Sequence, residues 1–223
     1  MSRHRHFEDE LDRLKESLVR MAGLAEDQVD RAVNALLARD ADSAQIVIER
    51  DAEIDELEMS IDNQAIQLLA LQQPMARDLR FITMAMKIGN DLERVGDHAV
   101  NIAENVGYIV AAPPLPHLPE LEEMTSLATE MLNDALDSFV RADSSQALDI
   151  GRRDDRVDEL HENVFRIVLT HMMEDPRRIG AGLDLILISR NIERIADLAT
   201  NVAEDVVFMV EGRIIKHPAA RSS

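Results

Sequence analysis

The sequence has no cysteine and no tryptophan, and aromatic residues of any kind make up only 3% of it. Without cysteine there is no disulfide, no thiolate metal ligand and no thiol nucleophile. A core nearly free of aromatics must be filled by Ala, Leu, Ile, Val and Met. Such side chains suit helix packed on helix better than the strands of a β-sandwich. No apolar run approaches the roughly 20 residues that span a bilayer. The opening segment, MSRHRHFEDELDRLK, lacks the apolar stretch of a signal peptide, so a cytoplasmic protein is expected. Glycine-rich phosphate loops are missing, as are sustained alternation and the Asn-Gly or Asp-Gly turns of β-hairpins.

Positive charge is also scarce. The net charge is −19, with 12 basic against 22 acidic residues in positions 1–111 and 12 against 21 in positions 112–223. Such a chain is repelled by nucleic acid and by anionic lipid, and is drawn to cations and basic protein surfaces.

What is present is a repeat. Residues 88–110 read IGNDLERVGDHAVNIAENVGYIV, and residues 188–210 read ISRNIERIADLATNVAEDVVFMV. Glu93, Arg94, Asp97, Asn101 and Glu104 recur as Glu193, Arg194, Asp197, Asn201 and Glu204. Apolar positions recur in any two amphipathic helices; this polar series need not. Each helical residue advances about 100°, so with Glu93 at zero, Glu104, Asp97 and Asn101 fall near 20°, 40° and 80°. They form one narrow stripe, with Val95, Ala99, Ile102 and Val106 roughly opposite. A solvated acidic face explains one such stripe. Its recurrence favours a site.

Spacings of three and four place helices over residues 7–39, 43–71, about 75–110, 119–141, 145–173 and about 177–211. Asp42 or Ser43 is expected to cap the second. Gln73-Pro74 and Asp175-Pro176 end the second and fifth, Gly212 ends the sixth, and residues 216–223 read as a frayed tail. Pro113, Pro114, Pro116 and Pro119 make a stiff midpoint linker. The expectation is an all-α fold of two tandem three-helix bundles: residues 1–111, a linker at 112–118, and residues 119–223.

The second helix of each half carries its own acidic pair. Arg153-Asp154 and Asp158-Glu159-Leu160 echo Arg50-Asp51 and Asp55-Glu56-Leu57 at an offset of 103. If neighbouring helices set their pairs side by side, Asp51, Asp55, Glu93 and Asp97 converge in one half, and Asp154, Asp158, Glu193 and Asp197 in the other. Such an oxygen-only site suits magnesium, calcium, manganese or ferric iron, with Asn101 and Asn201 as weaker amide donors. The lack of cysteine and of paired histidines argues against structural zinc. Arg50, Arg94, Arg153 and Arg194 are the cations that would otherwise neutralise these faces.

Catalytic patterns are missing. A ferritin-like centre needs Glu-x-x-His on two helices, and only Asp158-x-x-His161 comes near. His98 is matched by Leu198, which speaks against a repeated catalytic role. Asp62 faces Phe165 in the repeat, so Glu58 and Asp62 are left out of the site. No catalytic residue and no organic cofactor is assigned.

These motifs resemble the PhoU family of bacterial phosphate-signalling accessory proteins. Residues 92–98, LERVGDH, resemble the family's first signature, and residues 192–197, IERIAD, the second. Gln73-Pro74 followed by Asp78-Leu79-Arg80 is also similar, and the resemblance runs from about residue 7 to 212. It implies a cytoplasmic negative regulator of phosphate uptake and of the phosphate-starvation response. Its implied partners are the Pst ABC phosphate transporter and the phosphate-sensing histidine kinase, and a homodimer is expected. It further implies metal at the E(D)xxxD pairs, iron first, with manganese, magnesium or zinc as alternatives. Gly96 and His98 become Ala196 and Leu198, so the two sites are not expected to be equivalent. A metal-dependent hydrolase and a metal-free acidic scaffold are the rival readings.

Overall fold

The computed structural model describes residues 2–72, 74–112 and 116–215, and it is helical throughout, with no strand among the described residues. α1 (Ser2–Ala38) ends at Arg39, whose φ of 54° is left-handed. Asp40 then caps α2 (Ala41–Glu49), accepting from the backbone N–H groups of Asp42 and Ser43 at 3.0 and 3.1 Å. The cap is thus Asp40 and not Asp42 or Ser43, because the turn closes two residues earlier.

The expected second helix is two helices. α3 (Ala52–Gln72) starts anew after a break at Arg50 and Asp51. Arg50 is pulled aside: its Nη1 reaches Asp27 on α1 at 2.6 Å and its Nε reaches Glu53 at 3.1 Å. α4 (Ala76–Ala111) completes the first half. α5 (Pro119–Arg141) begins on a proline, whose fixed φ suits the first helical position. α6 (Ala147–Glu174) runs unbroken where α2 and α3 are interrupted. A 3₁₀ turn (Pro176–Arg178) takes up the first residues of the expected last helix and leads into α7 (Ile179–Glu211). Gly212 ends α7 at φ 70°, its N–H donating to the carbonyl of Phe208 at 2.9 Å. Gln73, linker residues 113–115 and the tail 216–223 lie outside the described residues.

Burial extends the repeat to the helices outside the motif. Leu18, Met21, Ala25, Val29, Ala32 and Leu36 of α1 are buried, and so are their counterparts 103 residues on, Leu121, Met124, Ala128, Leu132, Ala135 and Phe139 of α5. Each half is therefore a three-layer bundle built on one plan, and the two halves share one apolar core. α4 and α7 form the spine. Lys87 reaches Asp205, and His98 reaches Asn191, so partners descend α7 as they climb α4 and the two helices run antiparallel. Buried Ala99, Ala103, Ala196, Ala199 and Ala203 keep this central layer thin.

Candidate functional site

α3 and α4 carry the first acidic quartet on adjoining faces. Asp51 stands at the start of α3, where the free N–H groups of the first turn favour negative charge. Burial pushes its carboxyl above the usual range, and Asp55 and Asp97 push it further. Burial likewise raises Glu93, followed by the charges of Asp97, Asp55, Glu58 and Asp51. The four residues singled out in the sequence therefore lie within electrostatic reach of one another. Opposite the acidic stripe, Val95, Ala99, Ile102 and Val106 are buried, which fixes the rotation of α4.

The second quartet repeats this between α6 and α7. Burial is the main cause that lifts Asp154 to about 7, followed by the charges of Asp197, Asp158, Asp155 and Glu193. Asp154 sits inside the unbroken α6 and lacks the helix start that Asp51 enjoys. Asp158 is raised by burial, Asp197 and Asp155, and is partly relieved by His161 and Arg194.

The four arginines divide unequally. Arg50 binds Asp27 and Glu53, Arg94 approaches Asp91 at 3.5 Å, and Arg153 binds Asp134 at 2.5 Å. All three are turned away from the quartets. Only Arg194 enters one, with Nη1 2.7 Å from Asp197 and Nε 3.6 Å from Glu193. Among the described residues, the first quartet has no ion-pair partner at all. Its repulsion is left to water or to a mobile cation.

Two residues that sequence comparison set aside belong here. Glu58 contributes to the field on Glu93, and is itself raised by burial, Asp62 and Asp55. Its counterpart at the 103-residue offset is His161, whose Nδ1 lies 3.0 Å from Ser189 Oγ. One groove thus has a carboxylate where the other has an imidazole. That register was readable in the sequence from the Arg50/Arg153 and Asp55/Asp158 matches. Asn101 is exposed and Asn201 half-buried, each about one helical turn beyond its aspartate.

The donors are hard oxygens suited to magnesium, manganese or iron. As the side chains stand, however, no group of three or more Asp, Glu or His among the described residues is arranged to hold a metal ion. The donor chemistry fits such an ion; a closed cage is not preformed. No helix among the described residues is long and apolar enough to cross a membrane.

Comparison with known proteins matches the same two units. The family described as the PhoU domain fits residues 18–106 and again 121–206. A Caulobacter vibrioides protein called phosphate-specific transport system accessory protein PhoU homolog is 40% identical over 207 residues, covering 92% of this chain and 90% of that one. The protein of the same description from Aquifex aeolicus is 41% identical over 208 residues, covering 93% and 94%. The crystal structure of PhoU from Pseudomonas aeruginosa aligns with a TM-score of 0.89 at 39% identity, covering 93% of this chain and all of that one. The phosphate transport system regulatory protein PhoU from Streptococcus pneumoniae aligns with a TM-score of 0.83 at 29% identity, covering 95% and 100%. A motif doubled in sequence, a core doubled in space and relatives alike over nine-tenths of their length lead to one assignment: the chain belongs to the PhoU family.

Proposed function

We propose that this protein is a cytoplasmic negative regulator of phosphate uptake and phosphate-starvation signalling. It acts by contact rather than by catalysis, joining the Pst ABC phosphate transporter to the phosphate-sensing histidine kinase, and it works as a homodimer. The observation that carries this reading is the likeness, at about 40% identity over nine-tenths of the chain, to proteins described as accessory to phosphate-specific transport.

Metal binding is part of the proposal. Asp51, Asp55, Glu93 and Asp97 would hold one group of ions and Asp154, Asp158, Glu193 and Asp197 another. Iron is first by resemblance, then manganese, magnesium or zinc. A bound cation supplies positive charge where burial and neighbouring carboxylates have raised Asp51, Glu93, Asp154 and Asp158. It thereby ties α3 to α4 and α6 to α7. The open arrangement of the quartets supports a second reading, in which the grooves stay free of metal and meet basic protein surfaces directly.

Two measurements test this. Deleting the gene should abolish repression of phosphate uptake in phosphate-rich medium, and the intact chain should restore it; repression that persists with no second copy of the gene defeats the regulatory reading. Metal content by plasma mass spectrometry, after purification without chelator or tag, should be stoichiometric and fall by about half in Glu93→Gln/Asp97→Asn. Absence of metal in both proteins after incubation with iron, manganese, magnesium and zinc selects the metal-free reading.

A further inference from the structure

The two ends of the molecule are related by the repeat and are not alike. At one end, a hollow of about 140 Å³ is bordered by Leu36, Leu37 and Ile109. Arg39 lines it and donates from Nη2 to the carbonyls of Ile109 and Ala112, at 2.6 and 3.1 Å, closing the C-terminal end of α4. At the other end the counterparts are Phe139, Val140 and Met209, and Ala142 stands where Arg39 would be. Arg39 and Ala142 share a left-handed backbone, with φ of 54° and 51°. The helices end alike and the side chain differs. Where the arginine is missing, the hollow measures about 530 Å³.

Its walls are apolar and come from both halves, with Phe81 of α4 facing Phe139 of α5 and Val210 of α7. Val140 and Val210 lie at its mouth, 54% and 39% exposed. The lip is basic. Arg77 is exposed and has no ion-pair partner among the described residues. Lys15 lies over the Phe81 ring at 5.6 Å and pairs with Asp12 at 3.2 Å. Asp78 is the one carboxylate in the lining among the described residues. With Lys15 and Arg77 against Asp78, the described lining is net positive by one in a chain of net charge −19, and Arg77 is its unpaired cation.

We propose that the hollow between α1, α4, α5 and α7 is a docking site for an acidic segment of a partner protein that carries a bulky apolar anchor. The anchor fills the space that Arg39 narrows at the opposite end, and flanking carboxylates pair with Arg77 and compete with Asp12 for Lys15. Apolar anchors in a groove give affinity, while complementary charge at the rim selects the partner. The site lies on a different face from the acidic quartets and does not depend on metal there.

The test immobilises the full chain and its Ala142→Arg variant and pans both against one phage library of random dodecapeptides. Arginine suits this backbone, as Arg39 demonstrates, and circular dichroism checks that the variant folds. The wild type should enrich peptides with net negative charge and at least one Leu, Phe, Met or Trp. Synthetic copies should bind it at least tenfold more tightly than they bind Ala142→Arg. Arg77→Glu, a change at an exposed side chain, should weaken them several-fold and decides the matter alone if Ala142→Arg does not fold. Neutral or basic peptides, peptides that bind wild type and variant equally, or no enrichment overturn the proposal. So does a fall in molar mass by light scattering on Ala142→Arg, which would assign the hollow to a second copy of this chain.

Discussion

Lys87 Nζ lies 2.5 and 2.6 Å from the two carboxylate oxygens of Asp205, joining α4 of one half to α7 of the other. The partners are unequally placed: the Lys87 side chain is 42% exposed and that of Asp205 only 4%. The repeat-related positions hold Leu187 and Asn105, so this link is made once. Removing the lysine takes a cation from a buried carboxylate, whereas removing the charge on Asp205 leaves a lysine that water can reach. Lys87→Met should therefore cost more stability than Asp205→Asn, by roughly 1 kcal/mol. Urea unfolding measures both. Equal costs would show that the pair is solvated like any surface bridge.

Gln28 sits in the core of the first half, 3% exposed, with both amide atoms buried and without a hydrogen-bond partner among the described residues. Its counterpart in the second half is Met131, fully buried. A buried amide left without partners costs about 1–3 kcal/mol. Gln28→Met should raise the melting temperature by about 2–4 °C for each kcal/mol recovered. A lower melting temperature would mean that the amide has a partner, such as a buried water, that methionine cannot replace.

The Asp154 carboxyl has its pKa raised from 3.8 to about 7 in the folded chain. Between those values the folded state keeps a proton that the unfolded state has released. The stability contributed by that proton is complete below pH ~4 and is lost as pH rises through about 7. In metal-free protein, Asp154→Asn should melt close to the wild type at pH 4 and increasingly above it toward pH 7.5. Parallel melting curves across that range would rule out a perturbed Asp154.

Arg194 is the one arginine inside a quartet, 2.7 Å from Asp197. If the grooves take cations, Arg194 competes with them. Arg194→Gln should tighten manganese binding to the second groove several-fold by calorimetry and leave the first unchanged. Unchanged affinity at both would remove Arg194 as a competitor.

Much of this architecture could be read from the chain. The doubled Glu-x-x-x-Asp lies opposite an apolar stripe in each half, and burial of that stripe fixes which way the carboxylates face. The proline-rich midpoint marked where α4 gives way to α5. The break before α3 was not legible. No proline or glycine stands at Arg50 or Asp51, and the cause is a tertiary partner, Asp27, on another helix. The arginines were misleading for the same reason: their nearest acidic neighbours in sequence are not the ones that Arg50 and Arg153 reach in space. Glu58 was left out together with Asp62 because Asp62 faces Phe165 in the repeat, although Glu58 itself faces a polar residue, His161.

The repeat has a last consequence at the ends of the molecule. A bundle built twice on one plan, with antiparallel central helices, tends toward a body that looks the same after half a turn. A partner lying along such a body would have two equivalent ways to sit. Arg39 narrows the hollow at one end and Ala142 leaves the other wider, so the equivalence is broken. The molecule has a head and a tail, and whatever reads it along its length meets a defined direction.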